Sequence, residues 1–262
     1  MELSLNGKHA LVAGSTQGIG LAVALELAQQ GATVTLIARN QEKLSEIKDK
    51  LPRPDNQIHK FVTADFSKPT FIKELIANYI SNNKSIDILI NNTGGPPAGP
   101  VTESKVEDFL LAFNQHLIMN QILTQAVLPS MKEKKFGRII NIISTSVKQP
   151  IIGLGVSNTI RGAVANWSKT LASEVGKFGI TVNNILPGST KTQRLDSILK
   201  SRAKKQNKSI EEVTNDMLKD IPAGRFGEAE EIAYAVAFLA SESASYISGI
   251  NLPIDGGRLK VL

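Results

Sequence analysis

Apolar, β-branched runs alternate with amphipathic stretches from one end of the chain to the other. HALVAG (9–14), ATVTLIAR (32–39), IHKFVTAD (58–65), IDILINN (86–92), GRIINIIS (137–144), GITVNNILPG (179–188) and INLPID (250–255) read as seven strands. Between them GLAVALELAQQ (20–30), EDFLLAFNQHLIMNQILTQAVLPSM (107–131) and EAEEIAYAVAFLAS (228–241) carry helical patterns. Strands that are hydrophobic almost throughout, rather than at every second residue, are covered on both faces. Their alternation with helices makes the sheet parallel. Connections are short, and no Pro/Gly/Ser-rich linker, repeat or low-complexity tract interrupts them. The prediction is an α/β chain, one doubly wound Rossmann-type domain over 1–262, with helices on both faces of a parallel sheet. Only 189–226 breaks the rhythm, as a helical excursion expected to cover a substrate site. In such sheets ligands bind beyond the carboxyl ends of the strands, so the chemistry is sought there.

The first such end is AGSTQGIG (13–20), which sets Gly14, Gly18 and Gly20 in a turn from strand to helix. Glycines let backbone approach a pyrophosphate closely, and the helix N-terminus offers free N–H groups and partial positive charge. No Lys follows the last glycine, which argues against the other common phosphate loop. A dinucleotide fold normally ends its second strand near an acid that binds the ribose 2′-hydroxyl. Here IARN places Arg39 at that tip, where a forked cation suits a 2′-phosphate, so NADP(H) is expected over NAD(H).

Composition narrows the alternatives. The 262 residues contain no cysteine, which removes disulfides, thiolate metal sites and cysteine nucleophiles, and no metal is expected. The start, MELSLNGKHALVAG, does not read as a signal peptide, and no run approaches the ~18–20 apolar residues that span a bilayer. A cytoplasmic protein without membrane contact is expected. Much of the net charge of +6 sits in KTQRLDSILKSRAKKQNK (191–208), seven Lys/Arg against one Asp. This segment lacks interleaved aromatics or a nucleic-acid motif, so it reads as a solvated helix face, or as a surface for an acidic substrate carrier.

With its neighbours, the glycine loop resembles the short-chain dehydrogenase/reductase family over almost the whole chain. AGSTQGIG stands for the family's TGxxxGxG, INNTGG (90–95) for NNAG, and PGSTKT (187–192) for PGxxxT. The ending GRFGEAEEIAYAVAFLASESASYISGINLPIDGG (224–257) is similar to 3-oxoacyl-acyl-carrier-protein reductases. The resemblance implies a cofactor site of Gly14, Ser15, Gly18, Ile19, Gly20, Arg39, Asp65 against the adenine, Asn91, Gly94, Arg161, Pro187, Gly188 and Thr192, with Ile142 or its neighbours beneath the nicotinamide. It implies a small carbonyl or alcohol substrate, carried on acyl carrier or coenzyme A in some members, and a homodimer or homotetramer.

The same resemblance locates a departure. The family moves a hydride with an Asn–Ser–Tyr–Lys set. Ser144 ends GRIINIIS and matches the Ser, but the Tyr position holds Ser157, the Lys position Arg161 and the Asn position His116. The chain's three tyrosines, Tyr79, Tyr234 and Tyr246, all lie elsewhere. An alkyl hydroxyl needs a partner base before it can act as one, and Arg is too basic to serve. Ser144, Ser157, Arg161 and His116 are therefore the candidate catalytic residues. In this scheme the serines hold the substrate oxygen and Arg161 stabilises charge or grips the ribose. The proton comes through water, with His116, an imidazole suited to acid–base work, as a member of the path. The alternative is a nucleotide-binding sensor or inactive partner that kept only the cofactor motifs. GGPPAGP (94–100) reads as a stiff wall of the site or a rigid loop, and Trp167 as core or subunit packing.

Overall fold

The computed structural model describes residues 3–83 and 85–261, so the expected 1–262 domain reaches outside the described residues at Met1, Glu2, Lys84 and Leu262. Its strands are β1 (His9–Ala13), β2 (Thr33–Ala38), β3 (Lys60–Thr63), β4 (Ile88–Asn91), β5 (Gly137–Ile142), β6 (Ile180–Pro187) and β7 (Asn251–Ile254). All seven predicted strands are present, with ends within two residues of the reading. They pair in parallel in the order β3-β2-β1-β4-β5-β6-β7.

Period-two side-chain alternation explains why these strands are apolar throughout. Ala10 and Val12 of β1 enter one core, with Val34, Leu36, Ile88, Ile90 and Ile140; Leu11 and Ala13 enter the other, with Ile37, Leu89 and Ile139. Helices α1 (Gly18–Gln29), α2 (Gln41–Lys50) and α9 (Ala229–Ala240) close the first face. Helices α3 (Pro69–Ser81), α5 (Met119–Lys134) and α6 (Gly155–Val175) close the second. Ile37, Ile88, Leu89, Ile139 and Ile140 are all fully buried, each worth about 1.5–3 kcal/mol against exposure.

The predicted helix over 107–131 is not uniform. Helix α4 (Val106–Phe113) continues into a π-helical turn, Asn114–Ile118, before α5 begins. The wider turn carries His116, and such turns are frequent at functional sites. The excursion 189–226 folds as α7 (Gln193–Gln206) and α8 (Ile210–Lys219), held by a small core of Leu195, Leu199, Ala203, Val213, Ile221 and Phe226. Most of its predicted basic face lies on α7. Trp167 packs half-buried between α5 and α6, and its Nε1 donates to Gln121 Oε1 at 2.8 Å, as the packing reading expects.

Strand order reverses between β1 and β4, which opens a crevice at their carboxyl ends. Residues 13–20, 91–95, 142–147 and 187–192 follow the carboxyl ends of β1, β4, β5 and β6, the four strands flanking that crevice.

Candidate active site

The glycine loop is shaped by close packing. Gly14 lies at φ +61° and Gly18 at φ +53°, a region that favours glycine. A Cβ on Gly14 would run into the Asn92 carbonyl, and one on Gly20 into the Gly14 carbonyl. Asn92 ties the turn to β4, its Nδ2 donating to Ala13 O at 3.3 Å and Gly14 O at 3.1 Å. Ser15 is fully buried and donates to Ile37 O, while Ile19 packs onto the core.

No side chain caps α1, and no acid stands in its first turn. The N–H groups at its start are thus left for an anion. Gly94 faces open space, with no atom within 4 Å of where a Cβ would stand. The uncapped start of α1 and the glycine turn before it fit the pyrophosphate of a dinucleotide.

Arg39 is exposed at the end of β2, and its charge reaches Asp65 beyond β3. The Asp65 carboxyl is held below the usual range, first by the Ser67 backbone N–H it accepts at 3.1 Å and also by Arg39. At the other end of the cleft, Pro187 closes β6 and Gly188 abuts Asp255. Thr192 sits over Gly18 and caps α7, its Oγ1 accepting from Leu195 N at 3.4 Å.

Asn91 is buried and donates to Asn141 Oδ1 at 2.8 Å. Asn141 in turn donates to Asn184 Oδ1 at 2.9 Å, and Asn184 to Asn251 Oδ1 at 2.8 Å. These four asparagines are register partners on adjacent strands, so they cross-link β4, β5, β6 and β7. Asn91 therefore has a structural task at the edge of the cofactor crevice.

The four candidate catalytic positions gather around α6. Ser144 lies two residues past β5 in extended backbone, half-buried, and its Oγ accepts from Ser146 N at 3.1 Å. Ser157 is half-buried in the first turn of α6, and its side chain makes no hydrogen bond among the described residues. Arg161, one turn on, is buried and donates from Nη1 to Ile142 O at 3.0 Å. His116 is 1% exposed, and its Nδ1 shares a hydrogen bond with Thr93 Oγ1 while Nε2 has no partner among the described residues. Ser144 and Ser157 share no hydrogen bond; packing of α6 on the turn 145–147 brings their segments together.

Burial governs the charges here. It pushes the His116 imidazole down to about 2, helped by the positive charge of Arg161, so His116 is neutral at any ordinary pH. Burial also lowers Arg161 to about 10, with the nearby Arg194 contributing, and Arg161 remains a cation at pH 7.

Three residues escape the sequence reading. Thr93 replaces the alanine of the family's NNAG, an exchange visible in INNTGG, and it holds His116. Asn92 supports the glycine loop from a neighbouring strand. Arg194, one of seven cations in a basic segment, donates from Nη2 to Pro96 O at 2.9 Å. Nothing in the local pattern marks it out, because its partner lies 98 residues away. Pro96 belongs to GGPPAGP, which also docks on the start of α6: Gly99 N donates to Gly153 O at 2.8 Å and Gly155 N to Gly99 O at 3.0 Å. The loop thus lies between α6 and α7.

A family model described as enoyl-(acyl carrier protein) reductase matches residues 13–258. The chain belongs to the short-chain dehydrogenase/reductase family. It is 31% identical to the NADPH-dependent reductase BacG of Bacillus subtilis, over 98% of this chain and 99% of that one. It is 36% identical to the 3-oxoacyl-[acyl-carrier-protein] reductase FabG of Haemophilus influenzae, over 97% and 98%. Among solved structures, L-sorbose reductase from Gluconobacter frateurii, complexed with NADPH and L-sorbose, superposes with a TM-score of 0.93 at 31% identity over the full length of both chains. Among the described residues no cluster of acidic or histidine side chains could hold a metal, and no helix is long and apolar enough to cross a membrane.

Proposed function

We propose that this short-chain dehydrogenase/reductase reduces the carbonyl of a small, acyl-like substrate with Ser144, Ser157 and Arg161 in place of the usual Ser–Tyr–Lys arrangement. As a family member it is an NADP(H)-dependent oxidoreductase that interconverts a carbonyl and an alcohol. The observation that carries the proposal is the buried Arg161 guanidinium, charged, pinned to Ile142 O beside the end of β5 and one turn from Ser157.

Gly14, Ser15, Gly18, Ile19 and Gly20 form the phosphate turn, and Arg39 takes the 2′-phosphate with Asp65 beside the adenine. Asn91, Gly94, Pro187, Gly188 and Thr192 line the nicotinamide end. NADPH, when bound, supplies the hydride. The Ser144 and Ser157 hydroxyls donate to the carbonyl oxygen and fix its position. Arg161 offsets the negative charge that grows on that oxygen, an effect strongest where water is excluded. The alkoxide then takes a proton from water. His116, being neutral, orients groups in that path rather than donating as imidazolium, and Thr93 holds its ring. The helices α7 and α8, with the 94–100 loop opposite, cover the substrate.

The relatives support the substrate class: one acts on 3-oxoacyl-acyl carrier, and the superposed structure holds a small polyol ketone. Exposed Val106, Leu110, Leu111 and Phe113 on α4 favour assembly of two or four copies, which light scattering showing a single-chain mass would refute. The functional test is oxidation of NADPH by a 3-oxoacyl thioester, an oxo acid and a neutral ketone. Turnover of at least one is expected. Tight NADPH binding with no turnover of any would instead favour the sensor reading.

A further inference from the structure

Helices α7 and α8 pack on each other around a small core of their own, separate from the two cores that flank the sheet. Their root is stapled where the chain leaves β6 and returns: Gly227 N donates to Ser189 O at 3.0 Å, and Lys191 N to Gly227 O at 2.8 Å. Beyond that root, α7 and α8 make a single hydrogen bond to residues outside 189–227 among the described residues. It runs from Arg194 Nη2 to Pro96 O at 2.9 Å. The guanidinium also lies along Gly95, its nearest atom 3.4 Å from where a Cβ would stand. Two residues earlier, the Thr192 methyl stands 3.2 Å from the Cβ position of Gly18. Residues 192–194 therefore touch both the loop after β1 and the loop after β4, the two sides of the crevice where strand order reverses. The loop after β4 is itself fixed, because Gly99 exchanges backbone bonds with Gly153 and Gly155 at the start of α6.

We infer that Arg194 is a positioning residue, the latch that holds α7 and α8 across the cofactor crevice, and that its release from Pro96 sets the rate at which NADP(H) enters and leaves. The inference rests on the reductase reading for where the cofactor lies, but the latch itself is testable without cofactor. A segment with its own core can swing on its root as one body, leaving both sheet cores closed. A single contact then decides whether it is held. Arginine suits that contact, since a charged donor holds a carbonyl more strongly than a neutral one and its long stem reaches the opposite loop. The acceptor sits on a fixed loop, so the closed position has one register. Gly95 completes the seat: without a side chain it lets the planar guanidinium lie along the backbone, and a large residue there would lift it off.

The test is stopped-flow displacement of NADPH from the loaded protein by excess NADP+, with amide hydrogen exchange measured alongside on the cofactor-free protein. Arg194→Met should speed NADPH release at least ~10-fold, the scale of one lost charge-assisted hydrogen bond. Exchange across 195–218 should rise by a similar factor, with β1 and β5 unchanged. Gly95→Leu should do the same with the arginine intact, and Arg194→Lys, which keeps a donor, should fall between the parent and Arg194→Met. An unchanged NADPH release rate in Arg194→Met overturns the inference. So does faster exchange that spreads into β1 and β5, the mark of general structural loss rather than of an opened latch. If NADPH does not bind the parent protein, the reductase reading falls instead. Exchange over 195–218 then decides the latch alone: a rise in Arg194→Met sustains it, and an unchanged rate removes it.

Discussion

Arg161 is a cation held where water is nearly excluded, and its fixed partner is a backbone carbonyl rather than a carboxylate. His116 beside it shows the consequence. Its folded-state pKa, about 2, lies below the unfolded value near 6.5. The unfolded chain therefore binds a proton that the folded chain refuses. Stability contributed by the neutral ring is present above about pH 6.5 and is lost as pH falls toward 2. The slope approaches about 1.4 kcal/mol per pH unit within that window. His116→Asn should show a flatter fall in urea-unfolding stability between about pH 6 and pH 4 than the parent protein; identical slopes would contradict a neutral buried ring. At the cofactor's far end, Arg39→Ala should weaken NADPH binding at least ~10-fold and leave NADH nearly unchanged in a fluorescence titration. Parallel losses for both would remove Arg39 from the phosphate. The positions of these residues were legible in the sequence because flanking motifs fix the register of Ser144, Ser157 and Arg161. The state of His116 was not. Its neutrality depends on burial and on the charge of Arg161, both set by folding rather than by neighbours in the chain.

At the level of elements, the asparagine ladder joins β4 to β7 behind the site. Each amide satisfies the next, so removing the middle one strands two others. Asn141→Leu should destabilise the protein by about 2–3 kcal/mol in denaturant unfolding. A change below about 0.5 kcal/mol would mean that the ladder is incidental. The strands themselves could be read directly, since side chains buried on both faces leave unbroken apolar runs such as Ile88–Asn91. The π-helical turn at Asn114–Ile118 could not, because the hydrophobic pattern of α4 and α5 continues across it. The turn re-aims His116 toward α6, and only tertiary packing specifies that.

For the whole molecule, the division of labour follows the sheet. In the proposed scheme the half built on β1, β2 and β3 supplies α1, Arg39 and Asp65 for the cofactor, and the half from β4 to β7 supplies Thr93, His116, Ser144, Ser157 and Arg161 for the chemistry. Helix α7 is tied to the opposite loop by Arg194 and Pro96. The architecture was accessible from strand–helix alternation alone, whereas this closure joins residues 98 positions apart and had no local signature. The arrangement gives Arg161 a role that binding alone cannot reveal. The decisive measurement is single-turnover stopped-flow oxidation of saturating NADPH by a carbonyl substrate in the parent protein and in Arg161→Met. Loss of the buried charge should slow hydride transfer at least ~100-fold, the scale of one preorganised donor to a developing oxyanion, while saturating cofactor offsets any change in NADPH affinity. An unchanged rate constant in Arg161→Met would contradict it.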